Sequence, residues 1–268
     1  MTAWRRLPFG AMCLLLVAAQ PAASLASQST EQASGASERA RRERDVHDRM
    51  QQRRADHFSV KFEGPEQASL AWSVLEVLEG AYWRIGGTLS ALPSAPIPVV
   101  LYTSEQFRDI TRSPSWAVGA FDGIIRIPMR GALENRRELE RVLSHEYTHA
   151  LISQLSSRPV PAWLNEGLAA ALEADDLNWA HALLRRAGRP IPLDFLRRPF
   201  RELTDEQATL AYASSALAAE RLLEEAGGVA VANLLRDVGQ GREFSAAFAY
   251  RIRRFQVCPI VFSPHPMS

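Results

Sequence analysis

Two histidines and a glutamate lie at helical spacing near the middle of the chain. The segment reads His145-Glu146-Tyr147-Thr148-His149. Residues four apart lie on one face of a helix, so both imidazoles can bind one metal ion. Glu146 is about 100° from His145 and about 60° from His149 around the helix, since an α-helix has about 3.6 residues per turn. Its carboxylate therefore reaches the edge of the same site.

A third candidate ligand follows on a second predicted helix. Residues 163–167 read Trp-Leu-Asn-Glu-Gly and come just after Pro161, and proline is favoured in the first helical turn. A short connection makes the two helices antiparallel neighbours, so Glu166 can point back to His145 and His149. With three protein ligands and an open fourth position, zinc lowers the pKa of bound water to about 7, and an adjacent glutamate can take its proton. A solvated surface glutamate is the alternative for Glu166 considered alone.

Length and composition indicate a folded protein that does not bind nucleic acid. The 268 residues are 47% hydrophobic, which is enough for one or two compact domains. Lys and Arg number 31 against 30 Asp and Glu. This balance leaves no strong electrostatic footprint for a polyanion.

The first 26 residues have the pattern of a secretory signal peptide. Arg5-Arg6 precede an apolar run over residues 9–19, and a Ser-Leu-Ala sequence ends at Ala26. The run is too short to span a bilayer, and no second long apolar stretch follows. We therefore expect an exported protein, periplasmic or extracellular, without a transmembrane segment in the mature chain.

Residues 27–57 are polar and charged, and they predict a flexible leader followed by a solvated helix over 39–54. The folded domain is predicted to begin at Phe58 and to extend over residues 58–250, with an irregular tail at 251–268. Strands are predicted at 58–63, 97–102, 117–121 and 124–127, with an Asp122-Gly123 hairpin turn. Helices are predicted at 68–85, closed by Gly86-Gly87, and in a short stretch after Ser104.

From Asn135 onward the pattern predicts helices alone, at 136–156, 161–174, 176–187, 205–226 and 229–238. Thr204 and Gln207 form a capping box, and Gly227-Gly228 ends the helix that follows it. The fold class is therefore α+β, with a small mixed sheet and helices in the N-terminal half, the helix of the candidate site, and an all-helical C-terminal subdomain.

The two motifs together resemble the gluzincin metallopeptidases, the superfamily of thermolysin and the zinc aminopeptidases. The stretch 58–239 is similar to small bacterial peptidase-MA-like, or minigluzincin, proteins. The resemblance implies a zincin-like fold in which His145, His149 and Glu166 bind Zn²⁺ and Glu146 is the general base. The implied activity is that of a secreted or periplasmic zinc metallopeptidase.

In such a fold a peptide or protein substrate commonly binds along an edge strand, and residues 124–127 are the expected template. An oxyanion donor is also expected, and Tyr212 is the candidate, with Ser214 and Ser215 nearby. Related zinc peptidases use a Tyr or His after the third ligand. An ordinary core tyrosine is the alternative for Tyr212.

Some positions depart from the family pattern. Where thermolysin-like enzymes have an Asp that orients a ligand histidine, this chain has Ala170. Glu173 could substitute on the same helical face, but a solvated glutamate is the favoured interpretation. Residues 131–135 resemble the segment that binds the free amine in aminopeptidases, but they lie close to His145. Asn135 is therefore interpreted as a helix cap, and aminopeptidase specificity is not inferred.

Two other functions remain open. The chain could be a non-catalytic, zinc-bound envelope interaction module of gluzincin fold that docks through the charged helix of residues 31–57. It could also hydrolyse a non-peptide amide, such as a cell-wall bond. The presence of Glu146 beside the metal ligands argues against the module, because a structural zinc site has no use for it.

Overall fold

The computed structural model describes a mixed α/β protein, which confirms the expected combination of a small mixed sheet with helices. Most of the predicted signal peptide and the predicted tail from residue 253 onward lie outside the described residues. The described residues are 14–15, 37–38, 40–111, 119–129, 135–173, 176–188, 191–192, 196–197, 199–200 and 203–252.

The chain divides into two compact units. Unit 1 comprises Met1–Gly80 and Ser94–Glu146, and unit 2 comprises Ala81–Pro93 and Tyr147–Ser268. The divisions fall inside two long helices, which are Ala68–Leu89 (α2) and Arg136–Leu155 (α4).

Unit 1 is built on a mixed sheet. Its strands in chain order are Leu14–Leu15 (β1), Gln51–Arg54 (β2), Phe58–Phe62 (β3), Ile97–Tyr102 (β4), Ala120–Phe121 (β5) and Ile125–Pro128 (β6). Their order across the sheet is β1-β5-β6-β4-β3-β2. The β3–β4, β4–β6 and β1–β5 pairs are parallel, and the β2–β3 and β5–β6 pairs are antiparallel. Five strands lie between residues 51 and 128, and a two-residue strand pairs with β5 at the edge.

Alternation and turn chemistry explain these strands. In β3, Phe58, Val60 and Phe62 are fully buried and the residues between them are partly exposed, as expected for a strand with one buried face. Between β5 and β6, Gly123 has a φ of 103°, a value that L side chains rarely adopt. The Asp122-Gly123 hairpin turn is therefore confirmed.

The predicted charged helix is only half helical. Residues 40–47 (α1) are helical, but Gln51–Arg54 form strand β2, which pairs with β3. The mostly exposed polar side chains of β2 suit a sheet edge, and pairing with β3 gives its backbone groups partners that local propensity does not predict.

One face of the sheet is covered by helical segments of unit 1. Val100, Tyr102 and Ala120 form a buried cluster with Phe107 of helix Ser104–Thr111 (α3), and Val46 and Met50 pack against it. Residues next to these along the strands, such as Leu101 and Phe121, are buried on the opposite face. The sheet is thus apolar on both faces.

Within the described residues, unit 2 is helical. Gly167 lets the helix Ala162–Ala171 (α5) approach the helix Asp205–Ala226 (α7) so closely that a Cβ atom there would lie 2.3 Å from the backbone oxygen of Ser215. Leu177, which precedes the helix Asn178–Ala187 (α6), packs on the alanine-rich face of α7 together with Ala180 and Leu184 of that helix. The later helices are Ala162–Ala171 (α5), Asn178–Ala187 (α6), Asp205–Ala226 (α7), Gly228–Gly239 (α8) and Phe244–Arg251 (α9).

The ends of helices α7 and α2 test two predictions made from the sequence. The Thr204/Gln207 capping box is present in both directions, and Gly227 ends α7 at a φ of 79°. The Gly86-Gly87 stop is wrong, because α2 continues to Leu89. Gly86 lies close to the segment that follows α2, since a Cβ there would lie 2.4 Å from Cδ2 of Leu92 and 3.0 Å from the backbone oxygen of Ala91.

In the part of the chain that the structure describes, no helix combines the length and apolar character needed to cross a membrane.

Candidate metal centre

The middle of helix α4 is buried on all sides. Every residue from 141 to 152 is buried, although the stretch contains two histidines, a glutamate and other polar groups. An amphipathic helix would bury one stripe only. Burying ionisable side chains costs free energy unless they are paired or bind an ion, so this concentration indicates a functional site.

The three predicted metal ligands lie close together. His145 and His149 lie one turn apart on α4, and Glu166 lies on α5, the next helix along the chain. One ligand atom from each side chain lies within 4.8 Å of the other two. All three side chains are buried. The structure therefore contains a cluster that could hold a metal ion.

The spacing of the donors fits a metal ion. Nε2 of His149 lies 3.7 Å from Oε2 of Glu166. Two ligands bound tetrahedrally at about 2.1 Å from one zinc ion are about 3.4 Å apart. A small side-chain adjustment therefore brings this pair to coordinating distance.

The donor types narrow the choice of metal. Two imidazoles and one carboxylate form a set used by catalytic zinc and also by non-haem Fe(II) sites. Ca²⁺ and Mg²⁺ prefer sites made of oxygen ligands alone. The cluster itself thus favours a transition metal over these hard cations.

Glu146 lies next to the first histidine and is fully buried. The backbone of Gly119, directly before β5, lies against it: a Cβ atom at Gly119 would be 2.5 Å from Oε1 of Glu146 and 2.9 Å from its Cγ. Sequence analysis did not identify Gly119. The available signal was a glycine inside the predicted strand 117–121, a position that often marks close approach of the backbone to another group.

Tyr212 is buried on α7, and its ring packs edge-to-face against Phe200 with centroids 5.0 Å apart. Its neighbour Ser214 accepts a hydrogen bond from the backbone N–H of Ile191 at 3.2 Å. Packing within unit 2 thus fixes the ring of Tyr212, and its role as an oxyanion donor remains a prediction.

Two further polar residues singled out in the sequence, Asn135 and Glu173, are explained by the helix ends beside them. Asn135 accepts a hydrogen bond from the N–H of Arg137 at 3.0 Å, so its predicted role as the cap of α4 is confirmed. Glu173 does not lie on the same helix as Glu166, because α5 ends at Ala171 and the N–H of Leu172 closes its last turn on Leu168. The prediction that Glu173 shares a helical face with Glu166 is therefore wrong.

Comparison of the sequence with protein-family models and with curated proteins gave no match.

Proposed function

We propose that this protein is a zinc-dependent metallopeptidase of the gluzincin type. The observation that carries the proposal is the buried cluster of His145, His149 and Glu166, with the fully buried Glu146 directly after the first histidine. The same three ligands without an adjacent carboxylate would fit several metal functions. A carboxylate next to the metal ligands suits hydrolysis, because it can take a proton from a water molecule that the metal activates.

His145, His149 and Glu166 would hold the metal. A bound zinc ion would supply Lewis acidity, which polarises a substrate carbonyl and lowers the pKa of water at the site. Glu146 takes a proton from the attacking water at a carboxylate oxygen. It then gives this proton to the amine nitrogen as the C–N bond breaks, and Tyr212 is the proposed donor to the developing oxyanion.

The expected template for an extended substrate needs correction. Residues 124–127 are not at a sheet edge, because β6 lies between β5 and β4. We propose that the substrate binds along β5 instead, because cleavage of the predicted signal peptide after Ala26 would remove β1 and leave β5 at the sheet edge. Two observations support this choice: the outer side of β5 pairs with the short strand β1, and Gly119, which precedes β5, touches Glu146.

The alternative of a zinc-bound interaction module used the charged residues 31–57 as its docking surface. Within that segment, Glu43 and His47 bond to residues of the sheet in unit 1, and β2 is one of its strands. These contacts favour an internal structural role for residues 40–54. Export to the periplasm or the extracellular space belongs to the proposal and rests on the signal-peptide pattern of residues 1–26.

Elemental analysis and turnover of fluorescently labelled casein test the proposal together. The wild-type protein, purified without chelator, is expected to contain about one zinc per chain and to lose activity with 1,10-phenanthroline. Glu146→Gln should keep the zinc and lose about 10²-fold to 10⁴-fold in turnover. Glu220→Gln changes a partly exposed side chain of α7, and it is the control that should retain both the zinc and the turnover. Full activity of Glu146→Gln, or a wild-type protein that binds no zinc after reconstitution, would contradict the proposal.

A further inference from the structure

The backbone at Gly119 lies close to the side chain of Glu146. A Cβ atom at residue 119 would lie 2.5 Å from Oε1, 2.9 Å from Cγ and 3.0 Å from Cδ of Glu146. Real Cβ atoms essentially never approach other heavy atoms within 3.0 Å. Any side chain at residue 119 must therefore displace the carboxylate of Glu146 or the strand itself.

Glu146 has little freedom to move away. Its side chain is fully buried, and all its neighbours on α4 from residue 141 to residue 152 are buried as well. Protein interiors are close-packed, so a displaced carboxylate would have to disturb other side chains. The contact with Gly119 therefore helps to fix the position of the Glu146 carboxylate.

The strand that carries Gly119 is also held in place. Ala120 pairs with Arg126 across the hairpin, and Arg126 is buried. The guanidinium of Arg126 donates hydrogen bonds to Asp122 at 3.0 Å and to the hydroxyl of Tyr102 at 2.8 Å, and it also pairs with Glu43. This network fixes the hairpin to strand β4 and helix α1, so the backbone at residue 119 cannot easily retreat.

We propose that Gly119 is a positioning residue, whose bare backbone holds the carboxylate of Glu146 in the orientation needed for proton transfer. This inference rests on the proposed function for its catalytic meaning. It goes beyond that function because it couples the hairpin, through one glycine, to the general base. A glycine needed only for folding would affect stability without any specific link to Glu146.

A double-mutant cycle separates these two roles. Glu146→Ala removes all three atoms that a Cβ at residue 119 would meet. Gly119→Ala should therefore lower Tm by several degrees in the wild-type background and by much less in the Glu146→Ala background. Even a Gly119→Ala protein that does not fold alone is informative, because the double variant is expected to fold.

Gly123→Ala is the matched control. It is the same substitution in the same hairpin, and its Cβ would meet nothing within 4 Å, but the φ of 103° makes it strained. It should lower Tm equally in both backgrounds. Equal effects of Gly119→Ala in both backgrounds would overturn the inference.

Zinc content and the kinetics of labelled-casein cleavage complete the test. Gly119→Ala should retain its zinc and its KM and lose about tenfold or more in kcat, because misplaced catalytic groups lose rate rather than binding. An unchanged kcat in a folded Gly119→Ala protein would overturn the inference. A wild-type protein without zinc or activity would refute the proposed function and with it the catalytic role of Gly119, while the Tm cycle would still decide the contact.

Discussion

The guanidinium of Arg126 pairs with the carboxylate of Glu43, which joins the strand β6 to the helix α1 at residues 40–47. The side chain of Arg126 is 6% exposed, and it also bonds to Tyr102 and Asp122. A buried cation with three oxygen partners is satisfied, but each partner becomes costly to remove. The polar segment before Phe58 is thus part of the folded unit 1.

Replacing Arg126 should destabilise the protein strongly. Arg126→Met leaves Glu43, whose side chain is 23% exposed, without its cation and removes a hydrogen bond to the Tyr102 hydroxyl, so we expect a loss of about 1–3 kcal/mol of unfolding free energy. Urea unfolding followed by circular dichroism measures the loss. Arg136→Met is the control, because Arg136 bonds to Glu76 and Glu140 on the surface and is 55% exposed. A loss for Arg126→Met no greater than that for Arg136→Met would contradict the buried network.

The docking of α1 should weaken on acidification. Nε2 of His47 lies 2.6 Å from the Tyr102 hydroxyl, and burial lowers the pKa of His47 below its ordinary value of 6.5. Glu43 acts in the opposite direction, whereas Lys61 and Arg126 add to the lowering of this pKa. The unfolded chain therefore binds the proton first as pH falls.

The contribution of neutral His47 to stability is thus complete above about pH 6.5 and declines as pH falls towards the lower pKa of the folded state. Unfolding free energies of the wild type and of His47→Gln, measured from pH 7.5 to pH 5 on the same buffers, test this. The wild type should lose more stability than the variant across this range. Parallel curves would show that His47 does not titrate with folding.

Gly167 should be required for the packing of α5 on α7. Gly167→Ala places a Cβ against the backbone of Ser215, which a flexible side chain cannot relieve, so we expect a loss of about 1–3 kcal/mol. Zinc affinity should fall as well, because Glu166 is the preceding residue on the same helix. Thermal unfolding and a competition titration with a zinc chelator measure both effects.

Gly87→Ala provides the comparison, since Gly87 is also helical and its Cβ would meet nothing within 4 Å. Alanine is a better helix former than glycine by about 1 kcal/mol, so this variant should be slightly more stable and bind zinc normally. If both glycine variants behaved alike, the close approach of the two helices would not matter for stability.

Loss of one ligand should weaken the metal site without unfolding the protein. Glu166→Ala and His149→Ala remove donors that lie 3.7 Å apart, and each should lower zinc affinity by more than about 100-fold. Chelator competition gives the affinity, and circular dichroism reports the fold. Zinc affinity unchanged in either variant would mean that the ion binds elsewhere.

The sequence by itself determined the local features. The four-residue spacing of His145 and His149, the capping box at Thr204 and the Asp122-Gly123 turn depend on backbone geometry within a few residues. For the same reason strand β4 and helix α7 begin and end where the sequence predicted them. The three candidate metal ligands could be predicted from the sequence because His145 and His149 lie on one helix and Glu166 lies in the first half of the next helix.

Tertiary structure alone decided the remaining features. Gln51–Arg54 form a strand because their backbone pairs with the edge of β3. The strand predicted at 124–127 lies inside the sheet because β5 pairs with its outer side. Gly119 gained its contact with Glu146 through the sheet, twenty-seven residues away along the chain. Such contacts depend on which surfaces meet after folding, and residue type and spacing do not encode that directly.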